Sequence, residues 1–251
     1  MMQRFKIIVP SFNSIDYLPK TLHSIESQSD RDFDALIIDD CSTFQAQRAI
    51  ISDFCGRNHW DFVFNAKNQG ALYNLVHGIK RLNCSDDDVI VIVDGDDWLA
   101  HADVLKHLRK IYNESDVCLT WGQCEIYPPT KTPVKYAQNV PDMVIKQKLY
   151  RDYPLAFWHL RTFKYGLWKH VRDEDLRDVD GEYFHIMYDK AMLFPMLEMA
   201  GDKIRFINET LYIYNVHNPL SDFLTTRSEE FRRVDDLIRS RQRYQTLSIF
   251  Q

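Results

Sequence analysis

The chain is predicted to fold as an α/β domain, with one mostly parallel open sheet and helices on both faces. Three observations predict it. Short β-branched runs alternate with apolar helical faces through the first 121 residues. Only brief turns separate them, which is the pattern of a parallel sheet covered on both sides. And the most apolar of the runs, Val89 to Val93, passes directly into Asp94-Gly95-Asp96-Asp97. In an open α/β sheet ligands bind at the carboxyl ends of strands.

The elements follow in order. Phe5 to Val9 is a buried strand ended by Pro10. Ser11 to Ser14 is a loop in which Asn13 or Ser14 can cap a helix, and Leu18, Leu22 and Ile25 then recur at helical spacing. Ala35 to Ile38 is a second strand that closes in Asp39-Asp40, a weaker helix covers about 45–58, and Asp61 to Phe64 is a third strand. Asn68-Gln69-Gly70 is a turn, after which Leu72, Leu75, Val76, Ile79 and Leu82 draw one helical face. The strand at Val89 comes next, then a helix from Val104 to Tyr112 and a strand from Val117 to Trp121.

Beyond Gly122 the texture changes, which predicts one compact domain with two halves: residues 1–121 binding a nucleotide and residues 122–251 a mixed, acceptor-binding half. Lys131, Lys135, Lys146, Lys148 and Arg151 make a basic stretch, expected to close over a diphosphate or to face an anionic acceptor or membrane surface. Tyr188 to Ala200 is predicted as an amphipathic helix. Ile204–Ile207 and Leu211–Tyr214 are predicted as two short strands, and about 228–247 as a charged tail helix.

Composition narrows the function. The net charge of −5 argues against a nucleic-acid partner. Five cysteines without a C-x-x-C pair suit reduced thiols. The start Met1-Met2-Gln3-Arg4-Phe5-Lys6 has no apolar leader, and no run is long enough to span a bilayer, so a cytoplasmic protein is expected. Peripheral membrane contact and self-association through the tail helix stay open.

Three carboxylates within four residues repel one another unless a cation joins them, so Asp94, Asp96 and Asp97 are expected to hold a divalent metal beside a diphosphate. The bland alternative is a solvated acidic turn. Asp39 and Asp40 also end a strand and are expected to accept hydrogen bonds from a base or ribose. Pro10-Ser11-Phe12-Asn13 contains no glycine, and the first glycine of the chain is Gly56. This counts against a dinucleotide fingerprint, a P-loop and a nucleotidyltransferase loop. Phe12 is suited to stack on a base.

Ile7-Ile8-Val9-Pro10-Ser11-Phe12-Asn13, Gln28, Ile37-Ile38-Asp39-Asp40-Cys41-Ser42, Asn68-Gln69-Gly70 with Asn74, and Asp94-Gly95-Asp96-Asp97 occur in that order. In this the chain resembles glycosyltransferase family 2, whose module has the nucleotide-diphospho-sugar transferase (GT-A) fold. The resemblance implies an inverting, metal-dependent transferase. It would move a sugar from a nucleotide-diphosphate donor, most commonly a UDP-sugar, to an acceptor hydroxyl with Mn²⁺ or Mg²⁺. It implies that Asp40 pairs with the base. Asp94 and Asp96, with Asp97 close by, would serve ribose and metal, with Asp96 the main ligand. Pro10, Ser11, Phe12, Asn13, Asp39, Asn68, Gly70 and Gly95 would complete the donor site.

In the second half the resemblance implies that Asp189, in Met187-Tyr188-Asp189-Lys190, is the general base, although Tyr188 stands where Glu is common. Inversion needs such a base to take the acceptor proton. A plain helix cap is the alternative role, with Asp180 and Glu182 as rival bases. His217 is expected to complete the metal site. His159, Arg161, Trp98 and Tyr188 are assigned to the donor or acceptor pocket, and Trp158, Trp168 and Tyr183 are aromatics suited to sugar faces. The acceptor, whether glycan, lipid-linked or protein, is not specified. Two other classes remain: a sugar nucleotidyltransferase, which would release pyrophosphate, and an inactive transferase-like glycan-binding domain, which would not bind UDP with Mn²⁺.

Overall fold

The computed structural model describes residues 3–129, 137–154, 157–219 and 228–248. Eight strands form one sheet in the order β3-β2-β1-β4-β7-β6-β8-β5. β1 (Phe5–Ser11), β2 (Phe33–Asp39), β3 (Asp61–Phe64) and β4 (Val89–Ile92) are mutually parallel, as the alternating pattern predicts. Helices α1 (Leu18–Glu26), α2 (Gln45–Asn58) and α3 (Ala71–Arg81) are the crossovers.

Alternation along the strands splits the core between two faces. Ile7 and Val9 of β1, with Val89 and Val91 of β4, pack against Leu18, Leu22 and Ile25 of α1 and Val104, Leu105 and Leu108 of α4 (Val104–Glu114). Ile8, Ile90 and Ile92 face Leu72, Leu75 and Ile79 of α3. There Gly78 lets α3 lie close on the sheet, since a Cβ would stand 2.4 Å from Cδ1 of Ile8.

The later half is mixed, as expected, but differs from the expected pattern in its elements. Two very short strands make the sheet mixed. β5 (Trp98–Leu99) pairs antiparallel with β8, and β7 (Thr162–Lys164) inserts antiparallel between β4 and β6. β6 (Leu119–Tyr127) runs past the expected boundary at residue 121. The two strands expected at Ile204–Ile207 and Leu211–Tyr214 are one, β8 (Ile204–Asn215), because a register irregularity opposite Gly122 and Gln123 absorbs the polar Asn208-Glu209 step without ending the pairing with β6. α7 (Tyr188–Ala200) is not amphipathic: every residue from Lys190 to Ala200 is buried, and the helix passes through the core rather than over it. The tail helix α8 (Ser228–Ser240) ends before the predicted 247.

Residues 130–136 of the basic stretch lie outside the described residues. The remainder carries α5 (Asp142–Lys146), and α6 (Tyr165–Trp168) follows β7. Arg151 faces no solvent. It is 2 % exposed and forms a bidentate pair with Glu198 of α7, Nε–Oε1 2.6 Å and Nη2–Oε2 3.0 Å. All five cysteines are free thiols, and no helix among the described residues is long and apolar enough to cross a membrane.

Candidate active site

The carboxyl ends of β1, β2 and β4 are tied together by their own backbones. Asp40 N donates to Ser11 O (2.8 Å) and Gly95 N to Pro10 O (3.0 Å). Gly95 permits this approach, because a Cβ there would stand 2.6 Å from Cβ of Ser11. Over this edge opens a cavity of about 330 Å³. Pro10, Ser11, Phe12, Asp40, Asp94, Gly95, Asp96 and Asp97 line it from the first half. His159, Arg161, Tyr188 and Asp189 line it from the second.

The acidic turn is held by Asp97 N donating to Asp94 O (3.0 Å), and by Asp94 N donating to the Tyr212 hydroxyl (3.0 Å). Asp97 is 1 % exposed; its Oδ1 accepts from Asn215 N (2.7 Å), while its buried Oδ2 has no hydrogen-bond partner among the described residues. Burial, with Asp96 and Asp94 nearby, pushes the Asp97 carboxyl well above its usual range. Asp96 accepts from Asn218 Nδ2 at 2.8 Å, and burial raises its carboxyl too.

His159 completes the group. Its ring is 6 % exposed and stacks on Tyr212 and Tyr214, with centroids 4.7 and 5.4 Å away. Burial, and then the charge of Arg161, hold it well below the ordinary histidine range, so the ring is neutral. One ligand atom each from Asp94, Asp97 and His159 lie within 4.8 Å of one another. Ligand bonds of about 2.0–2.4 Å allow one ion to reach all three. The orphaned Asp97 oxygen, the neutral imidazole and this spacing fit a divalent cation.

Arg161 joins the cluster to the base candidate. Its Nη2 is 2.6 Å from His159 Nε2, and its Nη1 is 3.3 Å from Asp189 Oδ2. Burial opposes its charge, but Asp189 and Tyr188 more than offset this, so the guanidinium is held above its usual range. Asp189 lies in the first turn of α7, where the macrodipole favours an anion.

Several other predicted residues lie off the cavity. Asp39 is fully buried and turned into its own loop, accepting from Gln47 Nε2 (2.9 Å) and Arg48 Nε (3.0 Å). Asn13 braces the same loop by accepting from Thr43 N (2.8 Å). Asn68 donates to Asp40 O (3.3 Å), and Gly70 N donates to Asp40 Oδ2 (2.8 Å). Trp98 packs on Tyr127 under the Lys20 ammonium, which is 3.5 Å from its ring centre. Trp158 lines the cavity, whereas Trp168 and Tyr183 are core residues. His217 is exposed and does not line the cavity; its neighbour Asn218 reaches the acidic turn instead. Sequence reasoning missed Asn215, Asn218, Tyr212 and Tyr214. The period-2 spacing of the two tyrosines on one strand was the available signal.

The sheet order and the cavity at its carboxyl edge define the class: an α/β domain with the fold of GT-A glycosyltransferases. S. aureus TarS has that fold with a TM-score of 0.65 at 19% identity, covering 94% of this chain and 39% of TarS. A TarS 1–349 structure in complex with UDP-GlcNAc gives 0.67 at 18%, covering 94% and 65%. The mannosyltransferase PcManGT from Pyrobaculum calidifontis, in complex with GDP-Man and Mn²⁺, gives 0.57 at 16%, covering 94% and 61%. Residues 6–172 match the model for glycosyl transferase family 2, and the chain belongs to that family of transferases. It is also similar to the glycosyltransferase GlyA of Streptococcus pneumoniae serotype 4 (strain ATCC BAA-334 / TIGR4), 24% identical over 221 residues. That match covers 85% of this chain and 30% of GlyA, so the chain spans under half the length of GlyA and of the first TarS chain.

Proposed function

We infer that the chain is a metal-dependent, inverting glycosyltransferase that moves a sugar from a nucleoside-diphosphate donor, a UDP-sugar foremost, to an acceptor hydroxyl. One observation carries this reading. The acidic turn and Asp189 line the same cavity and are bridged by His159 and Arg161. Bound UDP-GlcNAc in TarS, and GDP-Man with Mn²⁺ in PcManGT, support a nucleotide-sugar donor and a divalent ion for this fold.

Asp94, Asp97 and His159 would hold the cation, with Asp96 assigned beside them from the same turn. Bound Mn²⁺ or Mg²⁺ supplies Lewis-acid neutralisation of the departing diphosphate. Phe12 and Asp40 receive the base, and Ser11 and Gly95 flank the diphosphate corner. Asp189 accepts the proton of the acceptor hydroxyl as its oxygen attacks the anomeric carbon on the face opposite the leaving group. Arg161 fixes the Asp189 carboxylate for that task. Residues 1–121 thus bind the donor, and much of 122–251 presents the acceptor. Five free thiols suit a reducing cytoplasm.

The test is turnover of a panel of UDP-sugars with Mn²⁺, following UDP release and the product anomer by NMR. Asp189→Asn is expected to bind UDP normally and to transfer no sugar. Full turnover in Asp189→Asn, activity retained in EDTA, or a retained anomeric configuration would overturn the corresponding part of the assignment.

A further inference from the structure

The acidic turn is fastened to β8. β5 begins at Trp98, directly after the turn, and pairs with β8 at Trp98↔Ile213 and Leu99↔Tyr212. On the other side Cys124 of β6 is the register partner of Tyr212. The backbone of Tyr212 is therefore clamped between two strands, and Ala100 N adds a bond to Leu211 O (3.0 Å). A side chain rooted there is held more rigidly than one on a loop.

Tyr212 is 0 % exposed and engages the site with both of its parts. Its hydroxyl accepts from Asp94 N (3.0 Å), at the head of the turn. Its ring lies parallel to that of His159, with 10° between the planes and 4.7 Å between centroids. These two contacts matter because the cation cluster is drawn from separate segments. Asp94 and Asp97 come from the turn after β4, and His159 from the loop before β7. Between the segments themselves contact is loose: His159 Nδ1 stands 4.0 Å from Asp94 Oδ2, too far for a hydrogen bond. Tyr212 touches both, one with its oxygen and the other with its ring. Asn215 N, at the end of the same strand, holds Asp97 Oδ1 (2.7 Å).

We propose that Tyr212 is a positioning residue of the cation site: its hydroxyl fixes the head of the acidic turn and its ring seats His159, so that Asp94, Asp97 and His159 keep the spacing of one ion. The proposal rests on the metal-dependent reading above and adds the residue that shapes the site. Tyr212 does not line the cavity, so it acts through the groups that do. Partners behind the ligands orient them, and their loss typically costs about 10–100-fold in metal affinity.

Melting curves over a Mn²⁺ titration at one fixed UDP concentration test this, since a ligand that binds the folded chain raises Tm. Binding of Mn²⁺ to free UDP is common to all variants and cancels from their ratios. Tyr212→Phe keeps the stacked ring and removes the hydroxyl. Its apparent Mn²⁺ affinity is expected to be about tenfold weaker than that of wild type. Tyr212→Leu removes the ring as well and is expected to lose about a hundredfold. Tyr112→Phe is the matched control: that hydroxyl is also buried, 2.8 Å from Thr162 Oγ1, but lies in the core away from the cavity. It is expected to lower the metal-free Tm and to keep the wild-type Mn²⁺ response. Wild-type Mn²⁺ affinity in Tyr212→Phe, or an equal loss in Tyr112→Phe, would overturn the positioning role and leave the metal-dependent reading standing. Equal affinities in Tyr212→Phe and Tyr212→Leu would overturn the part given to the ring. Should Tyr212→Leu fail to fold, Tyr212→Phe, which lacks only the hydroxyl oxygen, still decides the role of the hydroxyl. No Mn²⁺ effect on wild type would overturn the metal site itself, and the role of Tyr212 with it.

Discussion

Arg161 holds Asp189 through Nη1, 3.3 Å from Oδ2, while its Nη2 rests 2.6 Å from Nε2 of His159. One buried guanidinium therefore spans the proposed metal and base sides of the cavity. Arg161→Gln keeps a polar group but is shorter and loses the charge that orients the carboxylate. The expected result is a fall in kcat of about a hundredfold with little change in donor KM, since misplacing a catalytic group by about 1 Å costs that much. Arg161→Lys is expected to recover part of it. Steady-state kinetics on donor and acceptor check this, and an effect confined to KM would count against the orienting role.

Asp97 carries an unpartnered buried oxygen that a cation would satisfy. Asp97→Asn removes a buried charge, so the metal-free variant is expected to melt no lower than wild type. The variant is also expected to lose the rise in Tm that Mn²⁺ with UDP gives wild type. Melting curves with and without Mn²⁺ and UDP read both effects. A full Mn²⁺ response in the variant would remove Asp97 from the ligand set.

Glu26, at the end of α1, ties that helix to α2 by accepting from Arg57 Nε (2.7 Å) and Asn58 Nδ2 (2.8 Å). The Arg57 bond, then the Asn58 bond, lower its carboxyl from 4.5 to about 2. A carboxyl lowered in the folded state stabilises above its unfolded value and loses that effect as pH falls through the folded one. Glu26→Gln should therefore cost about 1 kcal/mol at pH 7 for this partly exposed pair. The gap should close between pH 4.5 and about 2. Urea titrations across that range check the sign, and a gap that widens in acid would refute it.

Arg151 and Glu198 form a buried pair whose outer atoms hold the C-terminal segment. Arg151 Nη1 donates to Ile238 O (2.7 Å) and Tyr244 N donates to Glu198 Oε2 (2.8 Å). Glu198→Leu strands the guanidinium and is expected to cost about 3–5 kcal/mol. That corresponds to roughly 10 °C in Tm for a chain of this size. The double variant Arg151→Met with Glu198→Leu should recover more than half, because it removes both buried charges. Limited proteolysis would show the tail cut first in the single variant.

Much of the first half was legible in the chain alone. Val89–Val93 followed by Asp94 to Asp97, and Leu36–Ile38 followed by Asp39 and Asp40, are local patterns, since an apolar run that ends in carboxylates announces a strand and its carboxyl edge. The placement of Asp40, Asp96 and Asp189 around one cavity follows from that edge and a helix start. The remainder was illegible for definite reasons. β5 and β7 are two and three residues long, too short for any period to show. α7 lost the expected polar face because it runs between layers of core.

The sequence by itself determined the parallel first strands of the sheet, the acidic turn at their edge and the family, because period, turn residues and short motifs are encoded between near neighbours. Only the tertiary structure decided which carboxylate faces the cavity and which its own loop. It also put Asn218 rather than His217 against Asp96, and brought His159 onto Tyr212 and Tyr214 beside Asp94. Those choices depend on side chains from strands distant in the chain packing against one another, and no spacing along a single segment carries that information.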